Sequence, residues 1–239
     1  MVLPPVHWED SCGVSQGRHS TEPAKATCVS HPAKGKRAFG LSDYGRRLLS
    51  ERRDITPTSP AGKWLSNRRC SADLHGVWWH PSVWHAGEQR SFAAMMALIT
   101  GIHSCEPLSL HLTYLTDDGN KAVSDDSRRY LGGCTTSNGV IRLSPDEAVT
   151  TGLVIGEGIE TCATALLGIG PVWSCMDAGH LERFPVLGGV ESLTVLVDAD
   201  AAGRRAFAAV RERWESASRE VIGLEAPVGN DLNDWVRAA

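Results

Sequence analysis

The sequence predicts an α/β protein in three parts. Residues 1–60 form an irregular, basic and poorly ordered segment, residues 61–149 a smaller α+β unit, and residues 150–239 a mainly parallel sheet with helices on both faces. Three observations predict this. After Thr150, short apolar runs such as "LVI" (153–155) and "LTVLV" (193–197) alternate with helical stretches, and continuous apolar strands separated by helices belong to parallel sheets covered on both sides. Between Lys63 and Leu143, strand patterns gather around an Asp118-Gly119 turn. A composition of 42% hydrophobic and 22% charged residues excludes wholesale disorder and the collagen-like and coiled-coil classes.

Residues 1–60 are rich in Ser, Thr, Pro, Gly and basic residues, and only "YGRRLLSERRD" (44–54) carries enough periodicity for a short helix. "KWLSNRRC" (63–70) reads as a helix, "GVWWHPSVWH" (76–85) as an aromatic segment kinked by Pro81, and "FAAMMALIT" (92–100) as a buried strand. In "LSLHLTYL" (108–115), Leu108, Leu110, Leu112 and Tyr114 alternate with Ser109, His111 and Thr113, the period-two pattern of a half-buried strand. "VIRL" (140–143) precedes "SPDEA", whose Ser144 and Pro145 suit a helix or turn start. The alternation that follows pairs "LVI" with "ETCATALL", "PVWSC" with "GHLERF", "LTVLV" with "GRRAFAAVRERW", and "EVIGLEAP" with "DLNDWVRA". In the third helix Phe207, Val210 and Trp214 fall on one side at spacings of three and four, and the last helix has Leu232, Trp235 and Val236 as its apolar face.

The longest apolar run, Phe92 to Ile99, is far below the roughly 18 residues of a membrane span, and the N-terminus lacks a signal-peptide pattern, so no membrane association and a cytoplasmic location are expected. Seven scattered cysteines without a CxxC pair fit reduced thiols. Cys12, His19, Cys28 and His31 form the one zinc-like set, with only Cys28 and His31 tightly spaced. Residues 1–75 hold 12 Lys/Arg against 7 Asp/Glu, whereas 150–239 hold 7 against 13. A basic end beside an acidic one suits a polyanionic substrate.

The acidic end carries the chemistry. In a parallel sheet, ligands bind beyond the carboxyl ends of the strands, and Glu157, Asp198 and Asp200 fall at two such ends. Gly156 and Gly158 flank Glu157 and free the backbone to turn sharply there. Asp198 and Asp200, two apart, point the same way on an extended strand end. Gathered carboxylates raise one another's pKa unless a cation compensates, and hard oxygen ligands suit Mg²⁺ or Mn²⁺. Glu160, Asp231 and Asp234 are further candidates, Asp231 also as the cap of the last helix. Arg128, Arg129, Arg204 and Arg205 are candidates for phosphate contact or, equally, solvated charges. Trp78, Trp79 and Trp84 are candidates for base stacking or for core, and His111 for the surface of its strand.

"VIGEGIET", then "VLVDADAAGRRA", then "GNDLND" resemble the Toprim fold of bacterial-type primases, topoisomerases and some nucleases. Upstream, "WLSNRRC", "WWHPSVWH", "LHLTYLTDDGNKA" and "RRYLGG" resemble Toprim primase-like proteins of phages, plasmids and integrated elements, so the likeness covers roughly residues 60–239. It implies a Rossmann-like C-terminal domain and a metal-dependent nucleotidyltransferase that makes RNA primers on single-stranded DNA from nucleoside triphosphates, with a separately encoded replicative helicase as a further partner. It also implies that Glu157 is the catalytic glutamate, as metal ligand or general base, that Asp198 and Asp200 are the metal-binding pair, and that Asp231 is a further acidic ligand. Arg128, Arg129 and Arg204 are then the nucleotide or nucleic-acid contacts. Related strands often read His-Arg where this chain has His111-Leu112. Two other readings use the same residues: phosphodiester cleavage or nicking, and a nucleic-acid-binding module of a mobile element without turnover. Haloacid-dehalogenase-like phosphatases also begin with DxD after a strand, but residues 201–239 are too few for the rest of that fold.

Overall fold

The computed structural model describes residues 40–124, 127–132 and 134–238. Residues 1–39 of the segment expected to be irregular, with Cys12, His19, Cys28 and His31, lie outside the described residues. Helix α1 (Asp43–Ser50) starts where Ser42 accepts a hydrogen bond from the Gly45 amide, and α2 (Pro60–Asn67) where Ser59 caps the Gly62 amide with Pro60 in the first turn.

Strands β1 (Val77–His85), β2 (Arg90–Gly101) and β3 (Pro107–Leu115) then form an antiparallel meander. The pairing of β1 is interrupted between His80 and Val83, across Pro81. That is the expected kink, since proline has no N–H to give to the ladder. Short strands β4 (Arg128–Tyr130) and β5 (Gly139–Arg142) follow, and a 3₁₀ turn at Asp146–Ala148 leads into β6 (Gly152–Gly156). The alternation then runs α3 (Ile159–Ala165), β7 (Val172–Ser174), α4 (Ala178–Glu182), β8 (Ser192–Val197), α5 (Ala201–Ser216), β9 (Glu220–Glu225) and α6 (Leu232–Ala238).

All nine strands lie in one sheet, in the order β4-β3-β2-β5-β7-β6-β8-β9, with β1 on β2. The long strand β2 makes this possible. Along one edge it pairs with β3, and along the other it pairs with β1 through residues 90–97 and with β5 through residues 99–101. Strand β5 in turn pairs antiparallel with β7, and from there β7, β6, β8 and β9 are parallel. The α/β architecture expected from the sequence is therefore present, and its two regions share a sheet. At their junction the buried Arg142 donates from Nε to Asp146 at 2.6 Å and from Nη2 to the Ile102 carbonyl at 2.9 Å, with its guanidinium 4.5 Å from the Trp173 ring centre.

Three clusters fill the interior. Helices α2 and α3 cover one side, α4 and α5 the opposite side of the parallel strands, and α1 the opposite side of the meander. Val210 and Trp214 on α5 are fully buried as the spacing predicts, each contributing about 1.5–3 kcal/mol by removal from water. Two expectations are corrected. Strand β3 is not half-buried: Ser109 and Thr113 are as enclosed as Leu110, because helices lie against both of its faces. The fully buried residue of α6 is Asn233, while Trp235 is exposed. Cys70, Cys134, Cys162 and Cys175 are free thiols, but Cys105 is disulfide-bonded, which departs from a wholly reduced set. No helix among the described residues is long and apolar enough to cross a membrane.

Candidate active site

Strands β6 and β8 are parallel neighbours with Ile155 opposite Val195. Their ends deliver Glu157 and Asp198 to one rim, on strands about 4.8 Å apart. The rim is closed from the far side by the segment before α6. The Ala199 amide, between the two aspartates, donates to the Asn230 carbonyl at 2.7 Å, which brings Asp231 beside Asp198.

The electrostatics record the convergence. Burial, then the charges of Asp198, Asp200 and Asp177, push Glu157 up to about 7 against the pull of the Ala178 amide. Asp198 is pushed up to about 6 by burial and then by Asp231, Asp200 and Asp234. Glu157 Oε1 and Asp198 Oδ1 are both buried without a hydrogen-bond partner, an arrangement that disfavours the charged carboxylates and fits a cation. Among the described residues, no three His, Cys, Asp or Glu side chains converge tightly enough to hold a metal ion. That is compatible with Mg²⁺, which binds through one or two carboxylates and completes its shell with water and substrate phosphate oxygens.

The other acids are engaged locally. Asp200 Oδ1 caps α5 through the Ala202 and Gly203 amides at 2.9 and 2.8 Å, and Asp231 Oδ1 accepts from the Asp234 amide at 2.8 Å. Asp234 Oδ2 accepts from the Asn230 amide at 3.3 Å. Glu160, three residues after Glu157, is buried and paired with Arg128 Nη2 at 2.6 Å. Gly203 was not singled out by sequence reasoning, yet a Cβ there would stand 2.6 Å from the Asp198 carbonyl oxygen. The backbone bends at Glu157 and Gly158 as expected, but neither Gly156 nor Gly158 has a positive φ, so the bend does not draw on glycine's left-handed freedom. Gly156 instead packs closely, with a Cβ there meeting Cys162 Sγ at 3.0 Å.

The arginines are not equivalent. Arg128 and Arg129 adjoin on β4 and so point to opposite faces. Arg128 reaches α3, while Arg129 lies near the Gly87 turn. Arg204 is exposed and pairs with Glu225 at 2.7 Å. Trp78 and Trp79 are half-buried beneath Arg52 and Arg53, at 4.7 and 5.5 Å, and Trp84 is exposed. His111 Nδ1 is buried without a partner, its ring edge lies against Tyr130, and burial lowers it to about 4. It is therefore neutral near pH 7 and not the surface histidine expected.

A strand-helix alternation with a Glu at one strand end and an Asp-x-Asp at the next but one in sequence defines the rim, and residues 152–239 match the Toprim domain. Residues 152–239 are a Toprim domain. Upstream, residues 40–143 match a domain of unknown function, DUF7146. Among solved structures, the primase of Aquifex aeolicus (zinc-binding and RNA polymerase domains) is similar with a TM-score of 0.52 and 13% identity, over 81% of this chain and 56% of that one. The primase fragment of the bacteriophage T7 primase-helicase gives 0.49 and 14%, over 85% and 77%. What is shared at such identity with the Aquifex protein is the fold, and the present chain spans just over half of its length. No curated protein matches. Glu157, Asp198 and Asp200, which define the rim, all lie within the matched residues. Sequence reasoning overlooked the residues that brace it: Gly203, Asn233, Asp177 and His180. A glycine three residues beyond Asp200, at the start of a helix, was the one available signal for Gly203.

Proposed function

We propose that this protein is a metal-dependent nucleotidyltransferase that makes RNA primers on single-stranded DNA, working in the cytoplasm beside a separately encoded replicative helicase. The observation that carries the reading is the pair of buried, unpartnered carboxylate oxygens on Glu157 and Asp198, held at adjacent strand ends of a Toprim domain. Glu157 and Asp198 would hold Mg²⁺ or Mn²⁺, with Asp200 and Asp231 adding charge while their Oδ1 atoms cap helices. When bound, the cation offsets charge that develops on the phosphates of the incoming nucleotide.

The chain's own residues supply the rest. Glu157 is either a ligand of that cation or, where Asp198 holds it together with substrate oxygens, the base that takes the proton of the attacking hydroxyl. Arg128, about two-fifths exposed while paired with Glu160, and the arginines Arg129 and Arg204 would offer phosphate contacts. The test is to incubate the protein with single-stranded template, ribonucleotides and Mg²⁺ or Mn²⁺, and in parallel with supercoiled plasmid. New short RNA supports the proposal. Nicked plasmid without RNA replaces it with a nuclease, and silence in both with salt-sensitive DNA retention replaces it with a binding module.

A further inference from the structure

Asp177 is an acid at the rim whose partners differ from those of the other acids. It follows β7 after Met176, a residue with a φ of 73°, and side chains enter that left-handed region only where the surroundings hold them there. Asp177 accepts from the His180 amide at 2.9 Å, from His180 Nδ1 at 2.8 Å and from the Tyr130 hydroxyl at 3.0 Å. His180 Nε2 in turn lies 3.0 Å from the Thr136 carbonyl. Tyr130 belongs to β4 and Thr136 to the connection between β4 and β5, so both bridges leave the Toprim domain and grip the same piece of the upstream region.

The topology makes these contacts unusual. Strands β4 and β7 are four places apart in the sheet, which in a flat sheet is about 19 Å at the usual strand spacing of about 4.8 Å. The hydrogen bond from β4 to Asp177, three residues beyond the end of β7, therefore crosses three intervening strands, spanned by the long Tyr130 side chain and the chain past Ser174. Arg128 and Glu160 add a further bridge from β4 to α3. The same Asp177 charge acts on Glu157, so the carboxylate that grips β4 also borders the proposed catalytic group. Tyr130 is 39% exposed and keeps an open face toward solvent.

We propose that Asp177 is a positioning residue: by holding Tyr130 directly and the Thr136 segment through His180, it sets the gap between the β4 edge and Glu157 in which a nucleotide is held. This rests on the nucleotidyl-transfer reading of the rim. Two gentle variants test it. Tyr130→Phe removes one hydroxyl and keeps the ring, and Asp177→Ala removes the acceptor of the Tyr130 hydroxyl together with the group that orients His180 toward the Thr136 carbonyl.

Tyr130→Phe is expected to raise the KM for ribonucleotide about fivefold, the effect of losing one hydrogen bond of ordinary strength, and Asp177→Ala, which also releases His180, by more, each with a smaller change in kcat. The double variant is expected to be no worse than Asp177→Ala alone, because both act through one contact. Backbone amides over 127–132 should exchange faster in both variants, while those of α5 keep their wild-type protection. An unchanged KM with a lowered melting temperature would overturn the proposal and leave Asp177 as a structural brace, and strictly additive losses would overturn it too. If wild-type protein makes no primer, the function proposed above fails by itself. The present inference is then decided by the same comparison of Mg²⁺-ATP affinity and of exchange at 127–132.

Discussion

Replacing Arg128 with alanine removes the cation 2.6 Å from Glu160 and leaves that carboxylate, whose side chain is 7% exposed, inside the protein. Breaking a fully buried ion pair by deleting one partner costs about 3–5 kcal/mol, because the remaining charge is stranded. Here Arg128 is 41% exposed, so water already screens part of the pair, and about 2 kcal/mol is the expected loss. For a domain of this size, each kcal/mol lowers Tm by about 2–4 °C, which gives a drop of about 4–8 °C. Glu160→Gln removes the charge instead of stranding it and should cost about 1 kcal/mol. The double variant should then resemble Glu160→Gln alone, so that a second substitution rescues the first. Urea and thermal unfolding of the four proteins at pH 7.5 measure this directly. An Arg128→Ala protein that unfolds with the wild type, or a double variant worse than Arg128→Ala, would refute the reasoning and return Arg128 to the solvated charges.

Gly203→Ala would place a methyl group 2.6 Å from the Asp198 carbonyl oxygen. It should destabilise by about 1–3 kcal/mol in urea titrations and reduce metal-dependent turnover more than its effect on folding explains. Asn233 Nδ2 bonds the Arg68 carbonyl at 2.7 Å and Thr164 Oγ1 at 2.8 Å, so Asn233→Ala, which removes a donor from both, should cost about 1–3 kcal/mol by the same measurement. In metal-free buffer, Glu157 and Asp198 have folded-state values near 7 and 6 against ordinary values of 4.5 and 3.8. Between about pH 4 and pH 7 these two groups hold protons that the unfolded chain has released; they outnumber buried His111, which acts in the opposite direction, so stability falls as pH rises through that window. Saturating Mg²⁺ should flatten the slope, and a melting curve that rises with pH across it would contradict the assignment. Asp198→Asn should melt higher than wild type at pH 8 without metal and abolish turnover; an unaffected rate would exclude Asp198 as a ligand.

The parts of this protein legible in its sequence are those fixed over short distances. Runs such as Leu193–Val197 announce parallel strands because both faces are covered, and the charges that end them mark the rim because strand ends have nowhere else to point. Asp177 stayed hidden for the opposite reason. An aspartate after a strand, with a histidine three residues on, reads as a helix cap, which it is. Its other partner, Tyr130, is 47 residues away on a strand four places along the sheet from β7. Strand β3 was read as half-buried because Ser109 and Thr113 are polar, but small hydroxyl residues tolerate enclosure where α2 and α3 lie over the meander. Arg128 and Arg129 were read as equivalent because a three-residue strand carries too little periodicity to separate its faces. Asn233 was overshadowed by the acids on either side of it, although it is the residue of that motif that goes inside.

Residues 99–101 of β2 hydrogen-bond to β5, and β5 to β7, so no seam divides the two regions. Swinging them apart like jaws would tear the Ile141–Ser174 and Arg142–Trp173 pairings and pull Arg142 from the ring on which it lies. A ligand bound at the rim is therefore not admitted by a hinge between the two regions. Any tension it exerts on the meander reaches the carboxylates through a stiff ladder of peptide hydrogen bonds.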